Sequence, residues 1–202
     1  MKTNILYTLL ISLFIHVNVF AQEEEKAAEK KGFKKENLFT GGNVSLAFSN
    51  GATMIGLSPY FGYSLNKYID VAASFDFGYI SQRDPYTPDK IRQTSYSPGA
   101  FIRIFPLKFL FAHAQYEHAF IRQKYIPGNS SIPTITEHLQ NNSVLLGAGY
   151  AGGREDGNTF YYISLLFDVA DGKNSPYKDQ YGRVNPVIRA GFNIALFQGR
   201  RR

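Results

Sequence analysis

The chain has no cysteine. That excludes disulfide staples, thiolate metal sites and a cysteine nucleophile, and it removes the acylated cysteine of a lipoprotein. Long hydrophobic runs are missing too. Although 44% of residues are hydrophobic, no run reaches the ~18 apolar residues needed by a membrane-spanning helix. A basic helix or stripe is the third absence. The formal net charge is +6, but much of the excess lies in Arg200, Arg201 and Arg202 and in connections such as Lys90–Arg92. No nucleic-acid partner is expected from that distribution. What remains is abundant glycine, tyrosine and phenylalanine (18, 14 and 17 of 202 residues), a composition that favours strands within one domain or one small barrel.

Residues 1–21 read as a cleaved secretory signal peptide. Lys2 supplies the positive start, Ile5–Phe20 the apolar run, and Val19-Phe20-Ala21 the small residue at the cut, so the mature chain is expected to begin at Gln22. Residues 22–36 hold five Glu and five Lys with almost nothing apolar, which predicts a periplasmic linker unable to fold alone. Residues 37–197 form the expected barrel domain, and residues 198–202 a basic C-terminal tail.

From Leu38 onward the hydrophobic pattern alternates with period two, the mark of strands with two different faces. Eight such segments occur. The third is the clearest: Ile69, Val71, Ala73, Phe75, Phe77 and Tyr79 alternate with Asp70, Ala72, Ser74, Asp76 and Gly78. A soluble β-sandwich or ligand-binding barrel shares this period, with its apolar face inward. Here, however, the polar face is mostly Gly, Ser and Ala. All six charges inside the segments (Asp70, Asp76, Arg103, Glu117, Asp168 and Arg189) fall on it, and none falls on the apolar face. A lipid-facing Arg or Lys near the bilayer midplane costs about 2–4 kcal/mol, so this sorting is what a bilayer imposes.

The connections alternate in length. Asn66-Lys67, Pro106-Leu107-Lys108 and Gly152–Asn158 are the short ones; Ser81–Thr94, Gln123–Asn142 and Ala170–Pro186 are long. Short periplasmic turns and long outer loops are the rhythm of bacterial barrels, with Ser49–Thr53 a short exception. Tyr79 and Tyr96 are expected at the outer rim, and Tyr63, Tyr150 and Tyr161 at the periplasmic rim. The fold class that follows is all-β, an eight-stranded antiparallel up-and-down transmembrane β-barrel.

The opening Phe39-Thr40-Gly41-Gly42-Asn43-Val44-Ser45-Leu46, with Ser58-Pro59-Tyr60-Phe61-Gly62-Tyr63 after it, resembles small outer-membrane β-barrel proteins of the Bacteroidetes type, similar to the eight-stranded OmpX and OmpA-like barrels. The resemblance implies the outer membrane and insertion by the barrel assembly machinery, which often reads a terminal aromatic residue. In this chain Phe197 is out of phase with the apolar face and is followed by Gln198-Gly199-Arg200-Arg201-Arg202.

Candidate chemistry is sparse. Gly147-Ala148-Gly149-Tyr150-Ala151-Gly152 matches a dinucleotide fingerprint literally, but a turn and another strand follow where the mechanism needs a helix. Its glycines are expected to relieve crowding, and no cofactor is expected. His113, Gln115 and Glu117 share one face of one strand. They are read as an interior ion-paired plug, with a lipid-modifying enzyme using His113 and Glu117 as the alternative. His113 and His118 lie on opposite faces and make no metal pair. Strand heights predict two interior salt bridges, Asp70–Arg103 and Asp168–Arg189.

The function expected is a non-enzymatic outer-membrane scaffold with surface loops for interaction, adhesion or envelope stability and without a wide pore. Expected partners are outer-membrane lipid and lipopolysaccharide, the assembly machinery and an extracellular molecule met by the loops. The chain is read as a monomer with both termini periplasmic. A soluble periplasmic ligand barrel is the third reading.

Overall fold

The computed structural model describes residues 33–49, 52–83, 86–129, 131–154, 159–170, 172–178 and 182–197. The signal peptide, residues 22–32 of the charged linker and the basic tail lie outside them. A 3-10 turn, Lys35–Asn37, leads into eight strands: β1 (Leu38–Ser49), β2 (Ala52–Ser64), β3 (Ile69–Arg83), β4 (Lys90–Leu107), β5 (Leu110–Ile126), β6 (Ile135–Gly152), β7 (Phe160–Asp168) and β8 (Val187–Ala195). Each pairs antiparallel with its neighbours in chain order, and β1 pairs with β8 to close the ring. Closure leaves no free edge in the belt, the usual hazard of a sheet.

The fold is therefore the expected all-β, up-and-down eight-stranded barrel. It is inside out relative to a soluble barrel. Val44, Leu57, Phe61, Phe75, Phe77, Tyr116, Ile163 and Phe192 point outward and are 41–67% exposed, whereas Asp70, Arg103 and Glu117 are fully buried in the lumen. Asp76, Asp168 and Arg189 are buried with them. The sorting follows from the two-residue period, since one strand face must enter the lumen wherever the other leaves it. Tyr79, Tyr96, Tyr150 and Tyr161 point outward and Tyr63 is half exposed, but Tyr79 and Tyr96 lie inside β3 and β4 rather than at strand ends.

Two expected long loops are mostly strand. β3 runs on to Arg83 and β4 begins at Lys90; β5 reaches Ile126 and β6 starts at Ile135, leaving connections of residues 84–89 and 127–134. Ladder pairs such as Arg92↔Lys124 and Gln123↔Glu137 continue the sheet past the belt. Residues 81–94 and 123–142 lack a continuous apolar face, so alternation could not mark them, but backbone pairing carries the strands on through them. The β7–β8 connection, residues 169–186, remains long.

The G-x-G-x-x-G run lies within β6, with no helix after it. A Cβ on Gly149 would sit 2.3 Å from the Phe111 ring and 2.6 Å from the Ile163 carbonyl. The glycine provides room for a neighbour, as expected. At the other end of the chain, Leu196 still donates to the Leu38 carbonyl at 2.8 Å, and then Phe197 turns to φ 54°, which ends the strand.

Candidate functional site

Lumen-facing side chains form two layers. Towards the end bearing the short turns, Phe39, Tyr60, Phe101, Phe105, Phe111, Phe160 and Tyr162 pack into one cluster. Two guanidinium groups lie within it. Arg103 sits 4.1 Å from the Tyr162 ring and 4.5 Å from Phe101, and Arg154 lies 3.4 Å over Phe105. A desolvated Arg over an aromatic face is favourable by about 2 kcal/mol, so these rings stand in for part of the lost hydration.

The expected Asp70–Arg103 bridge does not form. The two are direct cross-strand partners, yet Asp70 pairs with Arg154 at 3.4 Å and accepts from Ser64 at 2.7 Å. Arg103 instead lies over the rings and donates through Nε to His113 at 3.4 Å. Arg154 belongs to the turn after β6 and reaches back into the lumen, a route invisible to an argument from strand heights.

Towards the end bearing the long connections, polar groups take over. Arg189 Nη2 lies 3.1 Å from Asp76 and 3.8 Å from Glu117, and Nη1 donates to Gln115 at 2.6 Å. The Gln115 amide donates to Asp76 at 3.0 Å and Glu117 at 3.1 Å, while Ser58 and Ser74 donate to Asp76. One arginine thus serves two carboxylates, each with further donors. The expected Asp168–Arg189 bridge is replaced: Asp168 accepts from Ser175 at 2.6 Å and from the Val144 and Ala170 amides, both at 3.1 Å. Three donors thus satisfy the carboxylate without a cation.

The β7–β8 connection folds into the mouth of the barrel. Besides Ser175 on Asp168, buried Tyr177 donates to Glu117 at 2.6 Å. Burial holds this phenol well above its ordinary pKa of 10.0, so it stays a donor. Tyr177 also belongs to a small apolar cluster with Met54, Leu145, Leu166 and Val187. Sequence reasoning missed both residues. The available signal was an aromatic ring in a mostly polar connection, at Ser175-Pro176-Tyr177, and Tyr181 shares it. Above this plug lies an open cavity of about 510 Å³, lined by Met54, Gln93, Gln123, Glu137, Lys173 and Tyr177 among others.

His113 and Glu117 are both buried, and Gln115 links them. His113 Nδ1 accepts from Arg103, and Nε2 lies 3.3 Å from Gln115 Oε1, which fits the neutral Nε2–H tautomer. Both ring nitrogens are occupied, and Phe101 stacks on the ring at 5.0 Å. Among the described residues no serine hydrogen-bonds His113, and no group of three acidic or histidine side chains has metal-binding geometry.

No family model matches the chain. A comparison with curated proteins gives no match either. Solved structures with similar shape are distant. Ail of Yersinia pestis, in complex with the heparin analogue sucrose octasulfate, is 10% identical, with 78% of this chain and 94% of that one covered and a TM-score of 0.44. Neisserial surface protein A is 14% identical, covering 78% and 95% at a TM-score of 0.42. The translocator domain of the autotransporter NalP from Neisseria meningitidis is 9% identical, covering 93% and 97% at 0.40.

Proposed function

We propose that this chain is an integral outer-membrane β-barrel protein that acts as a non-enzymatic scaffold, its surface connections serving interaction, adhesion or envelope stability. The observation that carries the reading is the inside-out barrel: large apolar side chains face outward on all eight strands, while the belt's charges are buried within. In water such a surface is an aggregation hazard, and in lipid it is the required one.

The filled lumen supports a scaffold over a pore. Eight strands enclose a space that side chains can fill, and here two packed layers and the Tyr177 plug fill it. The fully engaged His113 supports a structural role for the His113–Gln115–Glu117 set over lipid modification. The even strand number leaves both chain ends at the turn end, which the short-turn rule assigns to the periplasm. Delivery by the signal peptide of residues 1–21, insertion by the assembly machinery and a monomeric state belong to the same reading.

Membrane fractionation followed by a heat-modifiability gel tests it. The protein should sediment with membranes, need detergent for release and change mobility on boiling. Release without detergent would sink the proposal. In planar bilayers the folded protein should give no large conductance steps.

A further inference from the structure

The sheet that continues past the belt has two unlike faces. On the lumen side, residues 80–82, 91–93, 121–125 and 135–139 present Ile80, Gln82, Ile91, Gln93, Gln123, Glu137 and Leu139, with one charge, an acidic one, among them. On the outward side, which continues the apolar belt, the same strands carry Arg83, Lys90, Arg92, Arg122 and Lys124. The ladder register brings these five together. Arg83 is directly opposite Lys90, and Arg92 directly opposite Lys124, with Arg122 two residues from Lys124 on the same face. His138 is directly opposite Arg122.

Like charges in direct cross-strand register destabilise a sheet. Among the described residues none of the five has an ion-pair partner. The nearby acid, Asp89, is committed to the Tyr125 hydroxyl and the Gly128 amide. The sheet therefore holds a concentrated, uncompensated positive charge on the one face that continues the apolar belt.

Its height identifies the anion. The outward aromatics Tyr79, Tyr96 and Phe120 mark the edge of the belt on these strands. Arg122 lies two residues beyond Phe120, and Arg83, Arg92 and Lys124 each lie four residues beyond an aromatic. At about 3.4 Å per residue and a strand tilt of about 40°, the offsets are about 5 Å and 10 Å above the edge. That is the depth of lipid headgroups. We infer that this face binds the phosphate groups of lipid headgroups in the leaflet at the loop end, clamping phosphorylated lipid against the barrel wall. The inference rests on the membrane reading above. Arg and Lys on adjacent strands suit the task, since phosphate accepts several charge-assisted hydrogen bonds at once.

The test uses the full barrel folded in detergent, with mixed micelles of diphosphorylated lipid A and, separately, its dephosphorylated form. The wild type should bind the phosphorylated lipid and discriminate against the other. A variant combining Arg92→Gln, Arg122→Gln and Lys124→Gln should bind about a hundredfold more weakly, at roughly fivefold per charge. Removing Lys67 and Lys108 from the turn end by Gln substitution should leave affinity unchanged. Excess inorganic phosphate should not compete, because the lipid's apolar part holds it against the belt. Competition would overturn the inference in favour of a free-anion site. Equal binding of both lipids, or no loss in the triple variant, would overturn it as well. If the triple variant fails to fold, shown by loss of heat-modifiable mobility, Arg122→Gln alone should weaken binding about fivefold, and unchanged affinity there rejects the inference. All these failures leave the membrane reading standing, since folding and detergent extraction are scored separately.

Discussion

The two halves of the lumen are built on different principles. In the turn-end half, the two arginines are held by aromatic rings, with Asp70 the only carboxylate in contact among the described residues, and packing dominates. In the loop-end half, Arg189 is held by two carboxylates and an amide, and electrostatic compensation dominates. The same kind of cation therefore has a different energetic weight at each level. Where carboxylates surround it, its removal strands them. Where rings surround it, an apolar side chain of similar length can fill its place.

The sharpest break in this comparison should come from Arg189→Met, which leaves Asp76 and Glu117 buried without a cation. A loss of about 3–5 kcal/mol is expected, read as the urea midpoint of the heat-modifiable folded band. Added volume should separate the halves in the opposite sense. Gly149→Ala drives a methyl group into Phe111, itself wedged against Phe105 and Tyr162 at 5.3 and 5.9 Å, and should cost about 1–3 kcal/mol by the same assay. Arg103→Met should cost less than about 2 kcal/mol, because Nη1 and Nη2 of Arg103 have no acceptor to lose and Nε gives up only its 3.4 Å bond to His113. A loss as large as that of Arg189→Met would erase the distinction drawn here.

The smallest effect lies outside both layers. The Tyr125 hydroxyl, and after it the Gly128 amide, hold the Asp89 carboxyl below its ordinary pKa of 3.8. A depressed folded pKa means the clamp's contribution is complete above the unfolded value and is lost as pH falls through the folded one. The Gly128 amide should lose hydrogen-exchange protection on acidification below about pH 3.8, while amides in the lumen-lined belt keep theirs. Equal loss in both places would mean that the clamp does not act locally.

Much of the fold was legible in the residues. β3 is the clearest case: a strict alternation from Ile69 to Tyr79 named its outward and inward faces correctly at each position. The extension of β5 and β6 was not legible, because the outward face there is mostly polar and the lumen face mixes Gln123 and Glu137 with Tyr125, Ile135 and Leu139, so no clean alternation marks it. In the candidate site the cast was readable and the pairing was not. His113, Gln115 and Glu117 were placed together in the lumen, as they are. Depth alone makes Asp70 and Arg103 partners, and they are adjacent, but Arg154 reaches Asp70 from a turn and Arg103 has four aromatic rings to lie against.

What the sequence determined by itself was the number of strands, the face each residue of the eight alternating segments takes and the burial of the six belt charges. All three depend on a period of two, a property of single strands that needs no knowledge of neighbours. Only the tertiary structure decided which charges meet. Arg189 on β8 reaches Asp76 on β3 and Glu117 on β5 across the lumen, and Tyr177 enters from a connection to close the mouth. Those contacts depend on how strands far apart in the ring are staggered when it closes, which alternation along any one strand does not encode.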